Sequence, residues 1–373
     1  MDLKVFNRHV IGASHIKSNQ PCEDYSLSYI KDGCGIAVVS DGHGSSRSFR
    51  ASKGAEFACI VVMEILSSYI GKDEEILTAI AASEEKFFFN LKAYILRSWI
   101  DRISDDHSQN PFSSEELDGA GEKGRKYYSD NPDGFTKAYG CTLVAAYATT
   151  TFWFGIQIGD GTCTVSYEKG LSLQPLPEGP GQIANYTNSL CQSKAIENFV
   201  HYFEKKTPLG IFVATDGVDE SYQPLMYSLQ LPRFYREISR CFFENSPIAL
   251  DELHLKLEQL TEEGSGDDVS VSAIISGLTP LDEPVPTQEQ WRNLLSRTEM
   301  EIEDKKLSLE NKYKALQQNE AAYIDKQNVQ AEAEISRIKN IIANNENALN
   351  ELLESKEYIE RQLSAHCERQ QCL

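Results

Sequence analysis

Five aspartates and one glutamate stand where they can do chemistry together. Asp41 follows the apolar run "GIAVVS", Asp160 follows "FWFGIQIG", Asp216 follows "GIFVAT", and Asp267 comes just before "DVSVSAII". Glu23 and Asp24 precede the strand-like "YSLSYI". Each acid therefore sits at the end of a run that reads as a buried strand. Strand ends converge at the edge of a sheet, so a fold that gathers these edges places several carboxylates within a few ångströms of one another. Like charges in a poorly solvated site resist ionisation unless a counter-charge is present. Hard divalent cations supply it, and oxygen-only donors favour Mg²⁺ or Mn²⁺ over zinc, which recruits His or Cys. Gly42, directly after Asp41, lets its own carbonyl approach such an ion because no side chain intervenes.

The elements that must hold these acids alternate in character. The apolar runs, "CTLVAAYA" among them, are rich enough to be covered on both faces or to pair in stacked sheets. The segments "RSFRASKGAEFACIVVMEILSSYI", "EEILTAIAASEEKFFFNLKAYILRSWI" and "IALDELHLKLEQL" repeat apolar residues at steps of three and four, the helical signature. Strands, two long helices and then a series of strands predict an α+β fold with sheet packed on sheet. Residues 103–137, polar and containing Gly, Pro and Ser, read as a surface insertion or loop. Residues 174–192 read as a loop that feeds a short strand and either borders a substrate site or is a plain connection.

A sharp change in composition divides the chain. "GLTPLDEPVPTQ" concentrates prolines, and the sequence after it contains neither proline nor glycine. One domain is expected over 1–280, a linker over 281–287 and a helical arm over 288–368. In the arm, Trp291, Leu295, Ile302, Leu309, Tyr313 and Leu316, then Ile335, Ile338, Ile342, Leu349 and Leu353, recur at coiled-coil spacings. The seam weakens around "DKQNVQAEAE" and "ANNENA", where a break or hairpin fits. An unbroken helix of this length needs a partner face, so the arm predicts association with a second copy, with another protein, or with itself as a folded-back pair; self-association is favoured. A helix packed on its own catalytic domain is the alternative.

Composition excludes other classes. A formal charge of -20, from 36 basic and 56 acidic residues, argues against a broad basic surface for nucleic acid or anionic lipid. No run approaches the length of a membrane span. Nine scattered cysteines without a CxxC pair, in a chain opening "MDLKVFNRHV", predict free thiols in a reducing cytoplasm.

The motifs "PCEDY" (21–25), "VVSDGHGSS" (38–46), "GCTLVAA" (140–146), "IGDGT" (158–162), "VATDGV" (213–218) and "GSGDDVSVSAII" (264–275) occur in an order that resembles the metal-dependent protein phosphatases of the 2C type, above all their bacterial members. The resemblance spans about 255 residues, nearly all of the chain before the proline cluster. It implies a central β-sandwich flanked by helices in α-β-β-α layers, with two metal ions at one edge. By position, Asp41 would bridge both ions and Gly42 would add its carbonyl. Glu23 would serve the second ion, and Asp216 with Asp267 the first. Asp24 would orient a water, and Asp160 with Asp216 would hold a third ion. The implied activity is hydrolysis of phosphoserine or phosphothreonine in a phosphoprotein substrate by a hydroxide bridging two metals. His43 matches the general acid that protonates the leaving oxygen; the competing reading makes it a histidine that only fixes a neighbouring carboxylate.

Two departures stand out. Many members carry a phosphate-binding arginine four residues before the glutamate, where this sequence has Asn19. Phosphate contact is therefore expected from His15, from Lys17 or from elsewhere. Only 55 residues lie between Asp160 and Asp216, which leaves little room for a large flap. The missing arginine and the long arm keep open a scaffold that has lost catalysis and assembles partners. A hydrolase of small phosphoesters would share the same metal site.

Overall fold

The structure is a computed structural model and describes the chain apart from residues 1–2, 168–169, 174, 177–186, 223–226, 245, 278–287, 327–328 and 372–373. The expected linker 281–287 and most of the 174–192 loop lie outside the described residues. Two compact units form, Met1–Tyr222 with Leu229–Leu281, and Gln223–Ser228 with Asp282–Leu373.

Among the described residues the first unit holds ten strands: β1 (Lys4–Val10), β2 (Tyr25–Lys31), β3 (Cys34–Ser40), β4 (Leu143–Ala148), β5 (Trp153–Ile158), β6 (Thr162–Tyr167), β7 (Gly170–Leu173), β8 (Val200–Glu204), β9 (Gly210–Ala214) and β10 (Val269–Ile275). They make two five-stranded sheets, ordered β1-β10-β9-β6-β7 and β2-β3-β4-β5-β8. Every pairing in both is antiparallel. Its helices are α1 (Ala13–Ser18), α2 (Ala51–Ser67), α3 (Asp73–Ala82), α4 (Glu84–Gln109), α5 (Ser114–Gly119), α6 (Gly121–Asp130), α7 (Ala195–Asn198), α8 (Asp216–Asp219), α9 (Tyr227–Phe243) and α10 (Ala249–Glu263).

Period-two alternation explains the layers. Successive side chains of β3 point to opposite faces, and all of Ile36, Ala37, Val38 and Val39 are fully buried. Ala37 and Val39 meet Val144, Ala146, Val165 and Val213 between the sheets. Ile36 and Val38 meet Val62, Leu66, Phe88 and Trp99 under α2 and α4. The other sheet is covered by α9 and α10: Phe6 stacks on Phe242 at 4.0 Å, Phe212 on Tyr235 at 4.3 Å, and Leu253 and Leu257 are buried. Two sheets between two helical layers is the α+β sandwich the sequence predicts.

Residues 103–137, expected as a surface insertion or loop, are largely helical. They contain the end of α4, all of α5 and α6, and most of a 3-10 segment, Pro132–Tyr139. Their sequence is polar because little of it faces the core, but local signals drive the helices. Ser113 and Glu116 form a reciprocal capping box at the start of α5. Phe112 and Tyr128 pack edge-on against Phe49, anchoring the segment to the loop before α2. Strands β1, β6 and β7 and helix α9 were not expected either; β8, half-buried along its length, is the short strand that follows the 174–192 stretch.

In the second unit, α11 (Gln288–Lys326) and α12 (Val329–Gln371) form an antiparallel hairpin. Leu309, Ile338 and Ile342 pack together with Leu316 and Leu349. Ion pairs run in the antiparallel sense, Lys339 to Glu320 at 3.2 Å and Lys356 to Glu299 at 2.9 Å. Part of the seam that predicts a partner thus packs within the chain, while Tyr313 and Leu353 stay exposed; α11 ends at Lys326 and α12 begins at Val329, both inside the weak "DKQNVQAEAE" stretch, and α12 continues through "ANNENA". Among the described residues no helix is long and apolar enough to cross a membrane.

Candidate metal centre

Register brings the strand-end acids to one edge of the sandwich. Tyr25 pairs with Ser40, so Asp24 at the head of β2 lies beside Asp41 at the foot of β3. Leu143 pairs with Ile158, and Thr142 fastens Asp41 on both sides, accepting its N–H on the hydroxyl at 3.1 Å and donating its own N–H to the Asp41 carbonyl at 2.8 Å. Thr162 pairs with Ala214, which sets Asp160 next to Asp216 at the start of α8. Val271 also pairs with Ala214, and this delivers Asp267 and Asp268 at the head of β10.

The result is a tight group. Ligand oxygens of Asp41, Asp160 and Asp216 all lie within 4.8 Å of one another. Asp160 accepts a hydrogen bond from the Thr187 hydroxyl on Oδ2, while its buried Oδ1 has no hydrogen-bond partner among the described residues. Asp24 is buried and accepts from the Thr215 hydroxyl at 2.7 Å. Glu23 accepts the Gly42 N–H on its carbonyl at 3.1 Å. A Cβ at residue 42 would come within 2.8 Å of that carbonyl and 2.9 Å of the Ala51 Cβ, so only glycine permits this approach.

Electrostatics shows what the group lacks. Burial pushes the Asp41 carboxyl well above its ordinary value, and the charges of Asp24, Asp216 and Asp160 push it further. Burial and then Asp160 raise Asp216. Burial, Asp268 and Asp267 raise Glu23 to about 8. Burial also raises Asp24, against the pull of the Thr215 hydrogen bond. All four shifts are upward, and no Lys or Arg among the described residues offsets them. An all-oxygen cradle with excess negative charge and an orphaned carboxylate oxygen fits a hard divalent cation.

The other expected residues sit around this group. His43 donates its backbone N–H to the Gly140 carbonyl at 3.0 Å. Burial lowers its ring pKa, while Asp160 acts in the opposite direction. Asp267 lies outside the three-aspartate cluster; it is half exposed, with Oδ1 3.9 Å from His15 Nε2. His15 faces Asp268, with Nδ1 3.1 Å from its Oδ1. Asn19 has a structural reason: it caps α1 in the left-handed region at φ 54°, a conformation that asparagine tolerates far better than arginine. Lys17 is exposed on α1.

Sequence reasoning left four contributors unassigned. Asp268 directly follows Asp267 in "GSGDDVSVSAII", and two adjacent acids carry no sign of which one faces the backbone. Thr142 and Thr215 each adjoin a strand end, where a hydroxyl beside a carboxylate is the only hint. Thr187 carried no signal, because it lies in an irregular stretch 27 positions from the aspartate it bonds.

Residues 11–257 match the family model of protein phosphatase 2C, and the chain belongs to that family. No curated protein sequence matches significantly. Among solved structures, a bacterial serine phosphatase is 13% identical, with a TM-score of 0.44 over 74% of this chain and 100% of that one. The catalytic domain of the serine threonine protein phosphatase PstP, in complex with two manganese ions, is 14% identical, with a TM-score of 0.43 over 73% and 97%. The serine/threonine phosphatase Stp1 from Staphylococcus aureus is 13% identical, with a TM-score of 0.44 over 74% and 96%.

Proposed function

We propose that this chain is a Mg²⁺- or Mn²⁺-dependent phosphatase that hydrolyses phosphoserine and phosphothreonine in proteins. The observation that carries the reading is the convergence of Asp41, Asp160 and Asp216 within 4.8 Å, uncompensated by any Lys or Arg among the described residues. Asp41, Gly42, Glu23, Asp216 and Asp267 would hold two ions, and Asp160 a third. Ions bound there supply a water of lowered pKa and neutralise charge on the phosphoryl oxygens.

The chain's own residues do the rest. Asp24, fixed by the Thr215 hydroxyl, orients the attacking water by accepting one of its protons. His43, held by its backbone on Gly140, protonates the departing serine or threonine oxygen. Its lowered pKa makes that donation most effective toward acid pH. The exposed Lys17 offers a cation to the phosphate in place of the absent arginine.

The helical hairpin would place the enzyme, through a second copy or another protein. The cysteines that the structure describes are free, which suits a cytoplasmic location. The test is phosphate release from a phosphothreonine peptide by the purified chain with Mn²⁺, against EDTA and against Asp216→Asn. Metal-dependent release lost in the variant supports the reading. No turnover by a folded, metal-loaded chain would favour the scaffold.

A further inference from the structure

Asp268 is almost completely buried, at 3% exposure, beside three other acids of the metal edge. A carboxylate in that position needs donors, and it has two from the backbone. Its Oδ1 accepts the Gly12 N–H and its Oδ2 the Glu23 N–H, both at 2.6 Å. These short, charge-assisted bonds tie together three segments far apart in sequence: the turn after β1, the segment before β2 and the segment before β10. A Cβ on Gly12 would lie 2.5 Å from the Asp267 carbonyl carbon, so the turn is pressed directly against the Asp267–Asp268 backbone.

Neighbouring bonds complete the lock. Ser14 donates its N–H to the Gly266 carbonyl at 2.8 Å, and the Thr261 hydroxyl donates to the Asp267 carbonyl at 2.7 Å. Asp267 Oδ1 accepts the Asp268 N–H at 2.8 Å. Glu23 is held from both sides, its N–H on Asp268 and its carbonyl on the Gly42 N–H. His15 closes the cluster with its ring 3.1 Å from Asp268, although Nδ1 forms no aligned hydrogen bond there.

We propose that Asp268 is a positioning residue, which fixes the Glu23 and Gly12 backbones so that the metal edge is preformed, and that His15 belongs to this brace rather than to phosphate capture. The inference rests on the phosphatase reading. The two N–H groups reach separate oxygens of one side chain, an acceptor pair that a carboxylate supplies. An asparagine keeps the shape but has one acceptor, so its amide would face one of the two N–H groups donor to donor. Residues that orient metal ligands in this way are worth 10- to 100-fold in metal affinity as an order of magnitude.

The experiment compares the parent chain, Asp268→Asn and His15→Gln by calorimetric titration with Mn²⁺, by thermal melting without metal, and by peptide kinetics at saturating Mn²⁺. Asp268→Asn is expected to weaken Mn²⁺ binding by about 10-fold or more, with the KM for a phosphothreonine peptide unchanged. His15→Gln, which leaves both backbone bonds in place, is expected to weaken Mn²⁺ binding by a smaller factor, again without a change in that KM. It also carries the test should Asp268→Asn fail to fold. Unchanged Mn²⁺ affinity in the folded variants would overturn the inference while leaving the phosphatase reading intact. A raised peptide KM with unchanged Mn²⁺ affinity in His15→Gln would return His15 to phosphate binding. A parent chain that binds no Mn²⁺ would overturn the phosphatase reading itself, and the inference with it.

Discussion

Two groups of partly buried acids in the same unit behave in opposite ways. In the helical segment beside α2, Arg50 binds Glu116 at 2.7 Å and stands 3.5 Å from Asp106, while Lys53 reaches Asp106 at 3.0 Å. The Arg50 hydrogen bond holds Glu116 below its ordinary pKa. Against the upward push of burial, hydrogen bonds from Tyr139 and Lys53 hold Asp106 low as well. At the sandwich edge, Asp41, Asp216, Glu23 and Asp24 are all raised. Where the chain supplies its own cations, the acids fasten helices. Where the described residues supply none, burial and mutual repulsion raise the acids, and their geometry fits a cation from solution.

The sharpest way to break this contrast is to neutralise one acid of the edge. Asp41→Asn is expected to reduce Mn²⁺-dependent phosphate release by at least about 100-fold, read from initial rates. In EDTA the same variant should melt no lower than the parent, because it removes a repelling charge. A large drop in melting temperature would mean that the edge is structural after all. Arg50→Met should do the reverse, destabilising the fold by about 3 kcal/mol in chemical denaturation through the stranded Asp106 and Glu116 charges.

The signs of the pKa shifts give a smaller but independent effect. Glu23, raised from 4.5 to about 8, binds its proton more tightly when folded, so its contribution is complete below 4.5 and is lost as pH rises toward 8. Asp106 and Glu116 are depressed, so their contribution is complete above ordinary carboxylate values and is lost as pH falls through the folded ones. Metal-free protein should therefore melt at falling temperatures between about pH 5 and about pH 8, and added Mn²⁺ should raise the melting temperature more at the upper end of that range. A flat metal-free profile would remove the contrast. The smallest effect belongs to an exposed pair: Arg97→Ala, which breaks a 3.3 Å contact to Asp101 on the surface of α4, should change stability by less than about 0.5 kcal/mol.

The edge was legible in the sequence because Asp41, Asp160, Asp216 and Asp267 each flank a run with two buried faces, while Glu23 and Asp24 precede the more exposed β2, and antiparallel register then does the gathering. Asp41 and Asp216 needed no knowledge of distant partners. The Arg50 network was not legible, since its partners lie 56 and 66 positions away and nothing local couples them. For the same reason residues 103–137 read as a loop: their helices are held by Arg50 and by Phe112 on Phe49, contacts that exist only once the chain has folded. The capping pattern from Ser113 to Glu116 was the one local signal available there. In the arm, spacing revealed the apolar seam. That Leu309 would find Ile338 and Ile342 of the same chain depended on where the helix turned back, which polar residues only hinted at.

The most direct test of the central claim is a calorimetric titration of Mn²⁺ into metal-stripped protein, repeated in two buffers of different ionisation enthalpy. Saturable uptake of about two ions, with protons released from the raised carboxyls on binding, is the predicted result. A folded chain that takes up no Mn²⁺, or takes it up without releasing protons, would contradict it.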